Sequence, residues 1–348
     1  MRAELEARVA DGDFLQGLAL AGQDLTGIDL SGANFHECDL RDVKLGGAKL
    51  GECQFTHCKL AGATLDAADL LQAAFFKCTL DGASMQRADV SLMKIVESTA
   101  HDLDLRGAKT TVLGFVNSQA QRINLKQTHL DRANFLSSDL SSIDLSDAKL
   151  TRVGFVDSTI VGASLRGVVF DKVVLHKAKL PGTSFDGLDL RHTQLMDADL
   201  RKTTWARAKL DNTNFKGSDL EGASFEDASL KNALFVEAKL RHAKLARANL
   251  YQALFVDADA SFSDFERCNL EMSMWHRATC ESTRFSGAKL DYADFSWANV
   301  ASADFSGAGL FRARFHRVKD RGAIFTSRIT ALGDDEELAK AEDFKPVH

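Results

Sequence analysis

A chain of 348 residues with 24 glycines but only 2 prolines does not turn in the ordinary way, since turns usually draw on both residues. Its 43 basic and 49 acidic residues leave a formal charge of −6, near balance for this size. That balance excludes a general nucleic-acid binder with a basic excess, and no run of about 18 consecutive apolar residues offers a helix able to span a membrane.

Residues 2–10 read as a short helix with Leu5 and Val9 one turn apart, so 1–14 is expected to form an N-terminal cap over an open end. The segment MRAELEARVA has no apolar stretch of the signal-peptide kind. The expected compartment is therefore the cytoplasm, where the six cysteines stay reduced.

From residue 15 to 325 one rule governs the chain. Large apolar residues fall on every fifth position, as in Leu20, Leu25, Leu30, Phe35, Leu40, Leu45, Leu50 and Phe55. Two residues earlier sits a small one, such as Ala33, Ala48, Ala63 or Ala68. A period of five fits neither a helix, which needs 3.6, nor a plain half-buried strand, which needs 2. It fits a short extended side followed by a corner, with the small and the large residue both pointing inward. Four such units close a square coil, and successive coils stack at about 4.8 Å. The expectation is an all-β parallel solenoid of about 15 four-sided coils with a filled core. Ala100, Thr110 and Ala120 replace large residues in 98–120, so a bulge, loosened coil or bend is expected there.

Positions 20 apart should lie above one another. One column is then rich in aromatics, with Phe35, Phe55, Phe75, Phe115, Phe135, Phe155, Phe215, Phe235, Phe255, Trp275, Phe295 and Phe315. A second begins later with Phe185, Trp205, Phe225, Phe265, Phe285, Phe305 and Phe325. Rings stacked this way are core packing. Cys38, Cys53, Cys58, Cys78 and Cys268 occupy the small inward position and Cys280 a large one, where a free thiol acts as a small hydrophobe. Residues 326–348 leave the repeat as a C-terminal tail. Within it, 334–343 reads as a short capping helix with Leu338 and Phe344 available to cover the last coil.

The outward positions carry the functional signal. The residue after the first aromatic column is Phe76, Val96, Val116, Leu136, Val156, Met196, Val236 or Val256, interrupted by His176 and Lys216. The residue before it adds Leu234, Leu254 and Met274. One edge therefore carries an apolar stripe of the size that marks interaction sites. A smaller patch near the C-terminal end holds Tyr251, Met272, Tyr292 and Phe311, including both tyrosines of the chain. Acidic and basic residues interleave on all four sides. His36, Glu37 and His57 fall close together but read as solvated corner residues, so no metal site is expected. No P-loop or dinucleotide-type glycine pattern occurs. No catalytic residue, cofactor or small-molecule substrate is expected.

The units Ala68-Asp69-Leu70, Ala198-Asp199-Leu200, Ala248-Asn249-Leu250 and Ala293-Asp294-Phe295 resemble the pentapeptide-repeat family, whose consensus is A-(D/N)-L-x-x. The resemblance covers nearly the whole chain and implies a right-handed quadrilateral parallel β-helix. A finer one begins at Gly12-Asp13-Phe14-Leu15-Gln16-Gly17 and continues through Leu20 to Ala33. There the chain is similar to pentapeptide proteins encoded beside bacterial type VI secretion genes, which implies an accessory or effector role in a bacterium. In repeat type it also resembles the proteins that confer quinolone resistance by imitating DNA and binding type II topoisomerases such as gyrase. It departs from them in length, in lacking an acidic face and in lacking an apolar C-terminal dimer helix. The expected function is a non-enzymatic rigid scaffold or adaptor that meets a protein partner, or a second copy of itself, along the apolar edge. A DNA-mimic protector or inhibitor of gyrase is the alternative. No nucleic-acid or membrane partner is expected.

Overall fold

The computed structural model describes residues 1–344, in two compact units, Met1–Leu180 and Pro181–His348. Each unit is a parallel β-solenoid with a coil of 20 residues, and the two together hold about 16 turns. The count passes the expected 15 because pairing continues through Ile324–Phe325 and on to Leu332.

The coil length is set by backbone hydrogen bonds. In the first unit the Leu20 N–H donates to the Asp39 carbonyl at 2.8 Å, and the Asp39 N–H donates to the Leu18 carbonyl at 2.8 Å. In the second unit Leu230 donates to Asn249 at 2.7 Å and Asn249 to Ala228 at 2.9 Å. Corners close by a local bond, such as the Ala33 N–H to the Leu30 carbonyl at 3.0 Å. Little extended backbone fits between corners, so the sides are strands of two or three residues or single bridges 20 residues apart. The most regular side is an eight-stranded parallel sheet running from Phe14–Gln16 to Gly154–Val156.

The centre residue of each three-residue strand in that sheet is buried, and the flanking residues are half-buried or exposed except for the buried Gly154. Phe35, Phe55 and Phe75 stack face to face, with centroids 4.8 and 4.7 Å apart. In the second unit two aromatic columns share the core. Trp205 stacks 3.9 Å from Phe185 and meets Phe215 edge-on at 5.8 Å. Trp275 stacks 3.9 Å from Phe255 and meets Phe265 edge-on at 5.2 Å. Each indole N–H would be an orphan donor in such a core. The small inward residue two positions earlier supplies the acceptor: Thr203 Oγ1 for Trp205 and Ser273 Oγ for Trp275, both at 2.8 Å.

The coils of 98–120 are neither bulged nor loosened. Lys94–Val96 pairs in register with Gly114–Val116, and Thr110 pairs with Leu130. The bonds that set coil spacing belong to the backbone and are indifferent to the inward side chain. Thr110 is buried with its hydroxyl donating to the His129 carbonyl at 2.7 Å. All six cysteines are buried and unpaired. Burial pushes the Cys53 thiol up to about 12 and raises Cys268 and Cys280 in the same direction, so these thiols stay protonated.

Helix α1 (Arg2–Ala10) lies at the start of the first unit, with Leu5 buried and Arg2 donating to the Thr26 carbonyl at 2.9 Å. Helix α2 (Glu336–Asp343) differs from expectation. It buries no residue, Leu338 is exposed, and Phe344 retains 73% of its exposure. Polar contacts hold it instead: Arg317 to Asp343 at 2.6 Å and the buried His316 to Glu342 at 3.0 Å. The aromatic core is covered at this end by Arg328, whose guanidinium lies 4.8 Å from the Phe315 ring and 4.6 Å from the Phe325 ring.

Inward and outward neighbours should therefore differ sharply in cost. Phe135→Ala should destabilise by about 3–5 kcal/mol, as truncating a buried Phe does. Leu136→Ala, one residue along and 42% exposed, should cost no more than about 1 kcal/mol. Denaturant midpoints of the two variants would check the split.

Candidate protein-binding surface

The residues expected to form the apolar stripe fall into two sets, one on each unit. In the first unit Phe76, Val96, Val116, Leu136 and Val156 are successive rungs of one ladder, paired in register by the parallel sheet. Leu136 is exposed and the other four are half-buried, since each rung lies against the next. The Lys77 ammonium sits over the Phe76 ring at 4.9 Å.

In the second unit Met196, Leu234, Val236, Leu254, Val256 and Tyr251 are half-buried. Met272, Met274, Tyr292 and Phe311 are exposed. Leu234, Leu254 and Met274 bridge in succession. Tyr251 donates its hydroxyl to Met272 Sδ at 3.4 Å, and Tyr292 meets Phe311 edge-on at 5.5 Å. The supposed neighbouring patch borders the stripe, because Tyr251 and Met272 occupy the corners that lead into the Leu254 and Met274 rungs. Tyr292, Asp294, Arg312, Arg314 and Leu332 line a groove of about 280 Å³ beside it.

The structure adds residues that the periodic reading passed over. Leu71, Leu92 and Val112 lie at the corner that precedes the sheet. Between this corner and the Phe76–Val116 ladder the outward strand positions are Ala74, Lys94 and Gly114. Gln54, Gln72, Ala74, Leu92, Lys94 and Val112 enclose a groove of about 450 Å³. The groove is of mixed character, with Gln54, Gln72 and Lys94 beside Ala74, Leu92 and Val112. Phe262 and Trp297 are exposed aromatics at other corners, each with an arginine against its ring: Arg241 at 5.1 Å and Arg317 at 5.2 Å. Large apolar residues at the second corner position were the available signal.

That corner position is left-handed throughout, and 45 non-glycine residues with positive φ are spread along the chain. Val112, at φ 58, is the single β-branched residue among those described. A left-handed β-branched residue is strained, and such strain persists only where the surroundings impose it. Val112 is also only half-buried.

Charge is paired locally rather than gathered. Arg122 meets Asp102 at 2.7 Å, Arg247 meets Asp227 at 2.7 Å and Arg277 meets Asp257 at 2.6 Å, each one coil away. Arg41 meets Asp39 at 2.6 Å within one corner. The Arg41 guanidinium holds the Asp39 carboxyl down to about 2. Arginines likewise depress Asp102, Asp227 and Asp257. His36 and Glu37 approach to 3.7 Å and the His36 and His57 rings to 5.8 Å. Among the described residues no group of three or more His, Cys, Asp or Glu is placed to hold a metal ion. No helix among them is long and apolar enough to cross a membrane.

A filled five-residue-repeat solenoid whose distinctive feature is its surface defines a structural repeat protein. The chain belongs to the pentapeptide-repeat family: eight copies of its profile, described as pentapeptide repeats, match residues 15–51, 53–91, 115–152, 148–187, 158–195, 193–232, 233–271 and 278–317. The unmatched 92–114 contains Ala100 and Thr110, two of the residues that break the large-residue rule. No curated protein sequence matches at a significant level. The chain is similar to full-length QnrB1, a plasmid-mediated fluoroquinolone resistance protein, at 16% identity, 59% of this chain, 98% of that chain and a TM-score of 0.26. It is also similar to HetL, a pentapeptide repeat protein involved in heterocyst differentiation regulation from the cyanobacterium Nostoc sp. strain PCC 7120. The identity is 21%, over 89% of this chain and 95% of that chain, with a TM-score of 0.24. Both likenesses concern the fold alone.

Relieving the corner strain should show in stability. Val112→Gly is expected to raise the thermal midpoint, because removing the side chain releases about 1–2 kcal/mol of left-handed strain. Val116→Gly, at an extended position, should lower it.

The paired aspartates predict acid sensitivity. A carboxyl whose value falls on folding stabilises the fold above its ordinary value, here 3.8, and loses that contribution as pH drops toward about 2. Thermal midpoints should hold above about pH 5 and fall between about pH 4 and 2. A variant carrying Arg41→Gln, Arg122→Gln, Arg247→Gln and Arg277→Gln should show a shallower fall over that window.

Proposed function

We propose that this protein is a rigid, non-enzymatic adaptor that binds another protein, or a second copy of itself, through the apolar surfaces of its aromatic-column side. The observation that carries the reading is exposed apolar side chains on hydrogen-bonded rungs and on the corners that lead into them. Leu136, Met272, Met274, Tyr292 and Phe311 keep 42–49% of their exposure. Tyr and Met are enriched at interfaces. A ladder held by backbone bonds loses little conformational freedom on binding, so more of the contact energy remains as affinity. The likeness of residues 12–33 to proteins encoded beside type VI secretion genes makes that machinery the setting in which to look for the partner first. The gyrase-protector alternative needs a continuous acidic face, and the local arginine–aspartate pairing speaks against it.

The test is partner capture from a lysate of the source organism, comparing the wild type with a Val116→Asp, Val156→Asp, Val236→Asp variant whose β-structure is checked by circular dichroism. Loss of a wild-type partner in the variant is the expected result. Unchanged capture, or none by either protein together with a monomeric wild type, would sink the adaptor reading.

A further inference from the structure

The last coil ends on a segment that does not follow the repeat. Bridged residues of successive coils lie 20 apart, as Asp294 and Arg314 do, but Arg314 bridges Leu332, only 18 residues on. The tail thus reaches the final edge by a shorter path and pairs with it as a parallel strand. The Arg312 N–H donates to the Thr330 carbonyl at 2.7 Å, the Phe315 N–H to the Leu332 carbonyl at 2.8 Å and the Leu332 N–H to the Ala313 carbonyl at 2.8 Å. Side-chain oxygens then stand in for the carbonyls of a further coil. Asp334 Oδ1 accepts from the Arg317 N–H at 2.6 Å, and Thr326 Oγ1 accepts from the Gly307 N–H at 2.8 Å.

This strap is held by its backbone and by charge rather than by packing. The bonds of Leu332 repeat those of Arg314 one coil earlier, where Phe295 donates to Arg314 and Arg314 to Ala293. Gly333 therefore takes the place that Phe315 has in its own coil, the large inward position. Gly333 has no left-handed φ, and a Cβ added to it would meet nothing within 4 Å. Beyond it α2 buries no residue and is anchored by His316 on Glu342 and by Arg317 on Asp343. Arg317 Nε lies 3.3 Å from Glu342 Oε2 without forming a hydrogen bond, so the anchor itself is incompletely satisfied. The opposite end differs, since α1 buries Leu5. An edge strand with an empty inward position and a polar anchor is one that a better-filled strand can displace.

We propose that the 312–317 edge is an exchangeable strand-binding site: residues 330–334 occupy it in cis, and an extended segment of a partner protein takes it by adding a parallel strand. The recognised segment carries a large apolar residue where the tail has Gly333, to lie on Phe315, followed by an Asp to receive the Arg317 N–H. Arg328, which covers Phe315 and Phe325, belongs to the tail and leaves with it. The tail of a second copy competes poorly, because it offers the same contacts as a tail already tethered at an effective concentration in the mM range. The inference goes beyond the adaptor reading and is separate from it, since the Val116→Asp, Val156→Asp, Val236→Asp variant leaves this edge unaltered.

The test uses the full-length protein with its anchor weakened by Glu342→Gln and Asp343→Asn, its β-structure checked by circular dichroism, and labelled peptides of residues 328–344. A peptide carrying Gly333→Phe should bind this variant at least about tenfold more tightly than the unaltered peptide does, the gain expected from burying one large side chain. It should bind the wild type more weakly than the variant, because there the tail competes. Adding Leu332→Pro to the peptide should abolish binding, since proline has no N–H to donate to Ala313. In the full-length chain Gly333→Phe alone should slow amide hydrogen exchange at Arg312 and Phe315. No binding of any peptide, binding indifferent to Leu332→Pro, or no effect of Gly333→Phe in either assay would each overturn the site. A wild-type dimer in sedimentation that the unaltered peptide dissociates would overturn it in favour of tail exchange between copies.

Discussion

Everything in this protein hangs on the inter-coil backbone ladder, in which an N–H such as that of Leu20 reaches the carbonyl 19 residues on and the N–H of Asp39 reaches back 21. Once that register is fixed, residues 20 apart stack at strand spacing whatever their chemistry. Phenylalanines in one column must then stack face to face, and those in the adjacent column must meet them edge-on. Arginines and aspartates 20 apart find each other for the same reason. The ladder also explains why Ala100 and Ala120 leave the coils in register: an undersized inward residue removes packing contacts but touches none of the bonds that set the spacing.

The cost of the ladder is collected at the corners. Each turn requires a left-handed residue, which glycine adopts freely and other residues adopt with strain. Asn, Asp, Ser and long polar side chains take most of these positions, and they are also the residues that water solvates best. Leu92, Val112, Met272 and Tyr292 depart from that pattern in two ways at once, being ill-suited to the conformation and to solvent. Leu92 and Val112 precede strand positions of the sheet in the first unit, and Met272 and Tyr292 precede the bridge positions Met274 and Asp294 in the second. Phe262 and Trp297 depart from the same pattern at other corners, each with an arginine against its ring.

The fold was legible because period five admits one reading: inward pairs two residues apart, then a corner. Aromatic columns, buried cysteines and the Phe76–Val156 ladder follow from counting in twenties. The surface was less legible. Counting separated Tyr251 and Met272 from Leu254 and Met274 by side, yet corner and strand residues of one coil border the same face. The groove was missed because counting by period gives no weight to a small outward residue such as Ala74 between larger neighbours. The tail was misjudged for a different reason. Leu338 and Phe344 offered apolar cover, but Arg328 already lies across Phe315 and Phe325, with its charge answered by Asp320 at 2.7 Å. Outside the repeat, no periodicity ranks such competing contacts.

A face built this way constrains a partner more than a pocket does. Its rungs cannot shift individually without breaking the backbone bonds beneath them, so the partner must accept the spacing offered. The energetic terms then divide cleanly. Apolar rungs supply attraction, but covered area does not convert directly into affinity, because the freedom lost on association offsets part of it. A lone cation such as Lys94 supplies little net affinity but penalises any partner that leaves it covered and unanswered. Affinity and selectivity then reside in different outward residues. A solenoid can alter either by substituting an outward position, because the inward positions that hold the fold are set apart from them at every step of the chain.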